Sequence, residues 1–168
     1  MARRGRIKAA VTIREYRDSD EAQVVELARE LQAYESPMYK WGKPPEDIGP
    51  WYLEDAKKWC AKNDGVILVA ERAKLLLGYA TVLTKCESDG TGDEIAYTYA
   101  HVADLLVTKS ARRQGIGEAL LTACEEQARS RGRKIFRIGV LAQNTGAIAA
   151  YCDFGFAPYH QTLEKILE

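Results

Sequence analysis

A glycine-containing turn at residues 112–117 is the segment of this sequence best suited to bind a ligand. Its sequence is Arg-Arg-Gln-Gly-Ile-Gly; an apolar run, 101–107, precedes it, and residues 118–129, with helical periodicity, follow it. Glycine lets the backbone approach a ligand closely, and the first N–H groups of a helix have no partner within the helix. These donors and the helix dipole attract a diphosphate, and Arg112 and Arg113 add positive charge. The turn is therefore predicted to hold a phosphorylated cofactor.

The elements around this turn follow from apolar periodicity and from turn residues. Helices are predicted near 19–34, 51–62, 118–129 and 144–154, and the proline-rich segment 36–50 separates the first two. Strands are predicted at 11–16, 66–70, 75–83, 95–107 and 133–141, with a final strand or pair reaching residue 166. The order β-α-α-β-β-β-α-β-α-β predicts a mixed sheet with helices on both faces.

The composition excludes several classes of protein. Lys plus Arg and Asp plus Glu both number 24, so the formal charge is zero and nucleic acid is not an expected partner. Four scattered cysteines and two histidines predict neither a metal site nor a disulfide framework, which fits a reduced cytoplasm. No apolar run is long enough to span a bilayer, so no membrane association is expected. We expect residues 1–9 to form a disordered basic tail and residues 10–168 to form one domain.

A second motif lies in residues 144–156, after the glycine turn. The first motif, with Arg112, Gly115 and Gly117 at its fixed positions, resembles the Q/R-x-x-G-x-G/A acetyl-CoA-binding motif of the GCN5-related N-acetyltransferase (GNAT) superfamily. The second segment resembles the family's N-x-x-A-x-x-x-Y-x-x-x-G-F, with matches at Asn144, Ala147, Tyr151, Gly155 and Phe156. A nucleotide triphosphatase is excluded, because its phosphate loop ends in Gly-Lys-Ser or Gly-Lys-Thr and this turn ends in Gly-Ile-Gly-Glu.

The resemblance implies an α/β (α+β mixed) fold of the GNAT type. Such a fold has a central mixed, mostly antiparallel sheet of six to seven strands, with helices on both faces and a splay between the fourth and fifth strands. The resemblance is close over residues 95–166, whereas the first half of the chain matches only in its order of elements.

The resemblance also implies acetyl-CoA as co-substrate and assigns the residues that bind it. The turn would bind the diphosphate and the preceding strand the pantetheine arm, with Asn144 at the pantetheine end. The implied cofactor-binding set is Leu105, Leu106, Val107, Arg112, Arg113, Gln114, Gly115, Ile116, Gly117, Asn144, Ala147 and Tyr151.

The implied chemistry needs an oxyanion donor, an acid and a base. The Leu105 N–H would polarise the acetyl carbonyl, and the Tyr151 phenol would protonate the departing thiolate. His101 lies four residues before Leu105, where some family members keep a catalytic Glu or His, and is the first candidate for the base. Glu94, Asp104 and a chain of water molecules are the alternatives.

Strand alternation bears on the candidates for the base. In an unbroken strand Tyr97, Tyr99, His101, Ala103, Leu105 and Val107 share one side, and Asp104 points to the other. A β-bulge would change this arrangement, and we expect one in this strand because bulges occur beside active sites.

The expected function is acetyl transfer to a primary amine by direct attack in a ternary complex. The acceptor is left open between a small metabolite, such as an amino acid or polyamine, an aminoglycoside-type compound, and a protein amine. Tyr34, Glu35, Tyr97 and Tyr99 are the expected acceptor-binding residues. The alternative is a CoA-binding sensor or scaffold without turnover. Family members are often dimers, so a homodimer is also an expectation.

Overall fold

The computed structural model describes residues 10–90, 92 and 95–167, so the predicted tail at 1–9 and the base candidate Glu94 lie outside the described part. The strands are β1 Thr12–Glu15, β2 Val66–Arg72, β3 Leu75–Glu87, β4 Thr98–Val107 and β5 Phe136–Ile138. The helices are α1 Glu21–Glu35, α2 Pro50–Lys62, α3 Ile116–Ser130 and α4 Thr145–Phe154. None of the helices in these ranges has the length and apolar character needed to cross a membrane.

The strands form one mixed sheet in the order β1-β2-β3-β4-β5. Neighbouring strands are antiparallel from β1 to β4, and β4 and β5 are parallel, which confirms a mixed, mostly antiparallel sheet. The parallel pairing joins only residues 100–102 to residues 136–138. Residues 103–107 of β4 therefore have no partner in β5, and the two strands part at this point.

The expected six to seven strands are not found, because the described residues contain five. Residues 156–167, predicted as a final strand or pair, have no regular secondary structure. Phe156 is half-buried against the core, but the apolar side chains after it are exposed, with Leu163 at 92%. β5 has only three residues and is followed by Gly139, so this edge offers a very short ladder for a further strand.

Helices cover both faces of the sheet, as predicted. α1 and α2 pack on one face over a core that includes Leu27, Leu53 and Tyr79. α3 packs on the other face through Leu120 and Cys124, which lie four residues apart on one side of the helix, and α4 adds Tyr151 and Phe154 at the edge of this core.

A β-bulge in β4 determines which side chains face each helical layer. Thr81 of β3 pairs with Asp104, but the next residue, Val82, pairs with Val102, so Ala103 is the extra residue. Asp104 consequently lies on the α1–α2 face. His101 pairs with Leu83, which faces α2 near Cys60, and lies on that face as well.

The expected shared side for His101, Leu105 and Val107 is therefore wrong. Leu105 and Val107 pack into the core on the α3 face, opposite His101. The predicted bulge is confirmed, and it reverses the alternation between residues 102 and 104.

A glycine in β3 brings this strand close to β4. A Cβ atom on Gly78 would overlap the Leu106 carbonyl oxygen and lie 3.2 Å from the Cα of Val107. Only glycine fits at this point of the sheet, immediately beside the part of β4 that leaves β5.

Candidate active site

A cleft opens where β4 leaves β5. Residues of α1, α2, β4 and α4 line it, together with the end of β5: Ala28, Leu31, Gln32, Glu35, Tyr52, Val102, Ala103, Asp104, Leu105, Ile138, Gly139 and Tyr151. The cleft thus brings together three of the predicted site residues, Glu35, Leu105 and Tyr151, with the fallback base Asp104.

The sheet register directs backbone groups of β4 into this cleft. The Thr108 N–H donates to the Leu77 carbonyl at 2.8 Å, which sets the alternation of the ladder between β3 and β4. In this ladder Leu106 faces β3 with its backbone groups, whereas Leu105 and Val107 turn theirs toward the gap left by β5. The Leu105 and Val107 N–H groups therefore point into the cleft, where the family resemblance predicts hydrogen-bond donors.

The glycine turn has the backbone geometry expected of an anion cradle. Gly115 precedes α3 with φ +77°, and Arg113 has φ +57°, so the turn passes twice through the left-handed region. The first intrahelical bond runs from the Ala119 N–H to the Gly115 carbonyl, which leaves the three preceding N–H groups of α3 without helical partners. Their number and orientation fit a diphosphate.

Two expected cofactor residues, Leu106 and Ile116, can contribute only their backbones. The side chain of Leu106 is buried in the core under α1 and α2, and that of Ile116, the first residue of α3, is buried in the core between α3 and the sheet. The Gln114 side chain, within the turn, accepts a hydrogen bond from Arg72 at 3.1 Å.

Arg112, Tyr34 and Asn144 form a connected group beside the cradle. Arg112 donates to the Val107 carbonyl at 3.0 Å, and its guanidinium lies 4.8 Å from the centre of the Tyr34 ring. The Tyr34 hydroxyl donates to the Asn144 side-chain oxygen, which also caps α4 by accepting from the Ala147 N–H, both at 3.2 Å. Tyr34, expected at the acceptor site, therefore lies beside the glycine turn and does not line the cleft.

Tyr151 projects from α4 into the cleft, on the same side as Leu105. Burial, assisted by the negative charge of Glu35 and by Tyr34, raises the pKa of the phenol to about 12. The phenol therefore keeps its proton at neutral pH, which is the state a proton donor requires.

Two carboxylates, Glu35 and Asp104, line the cleft. Burial raises the pKa of Asp104, and the hydroxyl groups of Tyr52 and Thr81 act in the opposite direction. The Tyr52 hydroxyl donates to Asp104 Oδ1 at 2.6 Å. Burial and the charge of Asp104 raise the pKa of Glu35. The negative charge of Asp104 thus disfavours the ionised form of Glu35.

Tyr52 is a site residue that no sequence pattern predicted, and it approaches Asp104 from a helix more than fifty residues earlier. No sequence motif contains it, and a tyrosine in the first turn of an amphipathic helix has the pattern of a core residue. Its role follows only from the tertiary contact between α2 and β4.

His101, Tyr97 and Tyr99 lie beside the cleft but do not line it. Burial, assisted by the charge of Arg137, lowers the pKa of His101, so the imidazole is neutral at pH 7. The Arg137 guanidinium lies 5.2 Å from the centre of the Tyr97 ring and 4.4 Å from that of Tyr99, and Tyr159 covers it at 4.1 Å. The two tyrosines expected at the acceptor thus surround an arginine of the chain itself.

Comparisons with known proteins agree with this arrangement. The Acetyltransferase (GNAT) family profile matches residues 24–156. An uncharacterised N-acetyltransferase of Methanocaldococcus jannaschii is 30% identical over 107 residues, which are 63% of this chain and 44% of that protein. The chain thus spans less than half the length of this curated relative.

Solved structures share the fold at low sequence identity. A mutant of the BH1408 protein of Bacillus halodurans superposes with a TM-score of 0.82 at 19% identity, over 94% of this chain and 99% of that one. AAC(6')-Iy, solved in complex with the bisubstrate analogue CoA-S-monomethyl-acetylneamine, gives 0.72 at 14% identity, over 95% and 99%. With the family match, the resemblance inferred from the two motifs is confirmed: the chain belongs to the Acetyltransferase (GNAT) family.

Proposed function

We propose that residues 10–168 form one acetyltransferase domain that moves an acetyl group from acetyl-CoA to a primary amine by direct attack in a ternary complex. The observation that carries this proposal is the convergence of four groups on one cleft: the Leu105 N–H, the protonated Tyr151 phenol, and the carboxylates of Asp104 and Glu35. These groups supply a hydrogen-bond donor to the acetyl carbonyl, a proton donor for the leaving thiolate and a proton acceptor for the amine.

The turn before α3 fits the diphosphate of acetyl-CoA. Gly115 holds a left-handed conformation, and a Cβ atom on Gly117 would lie 3.7 Å from Val107, within the space beside the pantetheine strand. The N–H groups of Ile116, Gly117 and Glu118 would bind the diphosphate, with Arg113 nearby. The structural neighbour AAC(6')-Iy was solved with CoA, which supports the same class of co-substrate here.

The catalytic steps follow from the groups that β4 and α4 present. The Leu105 N–H donates to the acetyl carbonyl oxygen and stabilises the negative charge that this oxygen gains during attack. Tyr151 gives its proton to the departing thiolate sulfur. Because its pKa is about 12, the phenol is a weak acid, and the phenolate regains a proton through solvent from the second proton that the amine nitrogen loses as the tetrahedral intermediate collapses.

We assign proton removal from the amine to Asp104 in place of His101. Asp104 lines the cleft, and its raised pKa brings the carboxylate closer to the range in which it accepts a proton. His101 stands outside the cleft lining, with its Cε1 3.9 Å from a Cβ built on Gly139. In the acceptor complex the ammonium first pairs with the Asp104 carboxylate, and the lone pair attacks after the proton has moved.

A CoA sensor without turnover is the competing function. Both functions predict acetyl-CoA binding, so calorimetry alone does not separate them. The decisive experiment incubates the protein with acetyl-CoA and a panel of amines and follows the free CoA thiol. Turnover supports the transferase, whereas binding without thiol release for any amine supports the sensor.

Tyr151→Phe tests the assignment of the acid. We expect kcat to fall by about 100-fold, within the range that general acids contribute, while the Kd for acetyl-CoA changes little. Equal kcat values for the variant and the wild type would remove Tyr151 from the mechanism. Phe156, which packs edge-on against Tyr151, provides a control through Phe156→Leu, because this change alters the packing and keeps the phenol.

We further propose a homodimer, in which a second copy covers the exposed side chains of Leu163 and Leu167 near the C-terminus. Sedimentation of the wild type and of a Leu163→Ser variant tests this assembly, since the variant should shift toward the monomer. An unchanged monomeric mass for both proteins would refute it.

A further inference from the structure

The acceptor end of the cleft carries negative charge without a compensating cation. Glu35 and Asp104 are its carboxylates, and no Lys, Arg or His contributes to the lining among the described residues. The Glu35 carboxylate has neither an ion pair nor a hydrogen bond within the described part of the chain. Asp104 is bound by the neutral Tyr52 hydroxyl.

Two arginines close to the cleft residues are held by other contacts. Arg112 is bound to the Val107 carbonyl and covered by Tyr34, and Arg137 of β5 is enclosed by tyrosine rings. Neither can reach the two carboxylates without breaking these contacts. The negative charge of the cleft is therefore left for the ligand to neutralise.

Two partly buried carboxylates that repel each other are costly, and this cost is relieved when each binds a cation. Glu35 ends the helix α1 and Asp104 lies in β4, so both positions are fixed by regular elements. A ligand with one ammonium group would leave one carboxylate unpaired. A ligand with a carboxylate of its own would add a third negative charge to the cleft.

We propose that the acceptor is an amine with at least two ammonium groups and no carboxylate, in which Asp104 binds the reacting nitrogen and Glu35 binds the second one. This inference rests on the proposed acetyltransferase function and specifies its acceptor. It selects polyamines and polyamino sugars from the open acceptors and excludes free amino acids. Charge-assisted hydrogen bonds of this kind are among the strongest polar contacts in proteins.

Three amines with the same carbon chain test the charge rule. Butane-1,4-diamine, butylamine and 4-aminobutanoate differ at the far end by a positive, neutral and negative group. We expect kcat/KM for the diamine to exceed that for butylamine by about tenfold or more, the lower range for a hydrogen bond between charged groups, and 4-aminobutanoate to be the poorest acceptor. Neamine, assayed beside the diamine, distinguishes a polyamino sugar from a linear polyamine as the better acceptor.

The variant Glu35→Gln keeps the shape of the side chain and removes its charge. It should narrow the kcat/KM ratio between diamine and butylamine to near unity. Glu26→Gln is the matched control, because Glu26 lies on α1 outside the cleft and is exposed. In this control the ratio should equal that of the wild type.

The outcomes separate this inference from the proposed function. Equal kcat/KM values for the three amines, a preference for 4-aminobutanoate, or acetylation of protein lysines alone would overturn the inference and leave the transferase in place. Absence of thiol release with every amine, despite acetyl-CoA binding, would overturn the proposed function itself.

Discussion

The hydrogen bond from Tyr52 to Asp104 provides a quantitative test of the base assignment. The donor to acceptor distance is 2.6 Å, and the phenol stabilises the ionised carboxylate against a burial that raises its pKa. A hydrogen bond to a charged group contributes about 1.5–3 kcal/mol, and one pKa unit corresponds to about 1.4 kcal/mol. Tyr52→Phe should therefore raise the pKa of Asp104 by about one to two units.

The consequence is visible in the pH dependence of kcat/KM. The base works as the carboxylate, so activity is lost as the pH falls through the pKa of Asp104, and a higher pKa moves this acid limb to higher pH. The other titratable groups around Asp104 are Glu35, Cys60, Tyr79 and Tyr151, and the substitution leaves all four in place. The limb of Tyr52→Phe should lie about one to two pH units above that of the wild type.

The control is Tyr39→Phe, which removes a phenol from the exposed loop between α1 and α2. Its pH profile should coincide with that of the wild type. A uniform loss of activity in Tyr52→Phe, with an unmoved acid limb, would refute the reasoning and show that Asp104 is not the group that titrates. An acid limb that moves instead in His101→Gln would assign the base to His101.

Three further substitutions probe the cradle, the base and the sheet. Gly117→Ala should keep or raise the melting temperature, since its Cβ meets only Val107 at 3.7 Å, but should weaken acetyl-CoA binding by tenfold or more in calorimetry. Asp104→Asn should lower kcat by about 100-fold or more in the thiol assay. Because burial raises the pKa of Asp104 above its ordinary value of 3.8, ionisation opposes folding; the variant's stability advantage should therefore grow as pH rises above about 4 and vanish below it in chemical denaturation. Gly78→Ala should cost about 1–3 kcal/mol of unfolding free energy, because its Cβ overlaps the Leu106 carbonyl.

The cofactor side of the site was predictable because it depends on local sequence. A strand, a turn with glycine at 115 and 117, and an amphipathic helix form within about thirty residues, and the structure has the predicted turn, with Gly115 in a left-handed conformation. The asparagine and tyrosine of the second motif could be placed on α4 in the same way. These elements are determined by local sequence and depend little on contacts with distant parts of the chain.

The acceptor side was less predictable because it depends on register and tertiary contacts. The insertion of Ala103 into β4 decides that Asp104 faces α1 and α2, and the sequence predicted a bulge without fixing its position. Tyr52 reaches Asp104 only because α2 packs on that face. The predicted final strand or pair is wrong for a related reason, since a segment becomes a strand only where a neighbouring edge pairs with it.

Helix α1 has a mechanical consequence for the order in which the two substrates bind. Its Glu30 accepts hydrogen bonds at 2.7 Å from both the Thr108 hydroxyl and the Lys109 N–H, just before the glycine turn. On the same helix Tyr34 bonds to Asn144, and Glu35 lines the cleft. Helix α1 therefore contacts both the proposed acetyl-CoA site and the proposed acceptor site. Binding of acetyl-CoA beside Glu30 should restrict the motion of Glu35. The KM of the amine should therefore depend on the hydrogen bonds that Glu30 accepts from Thr108 and Lys109.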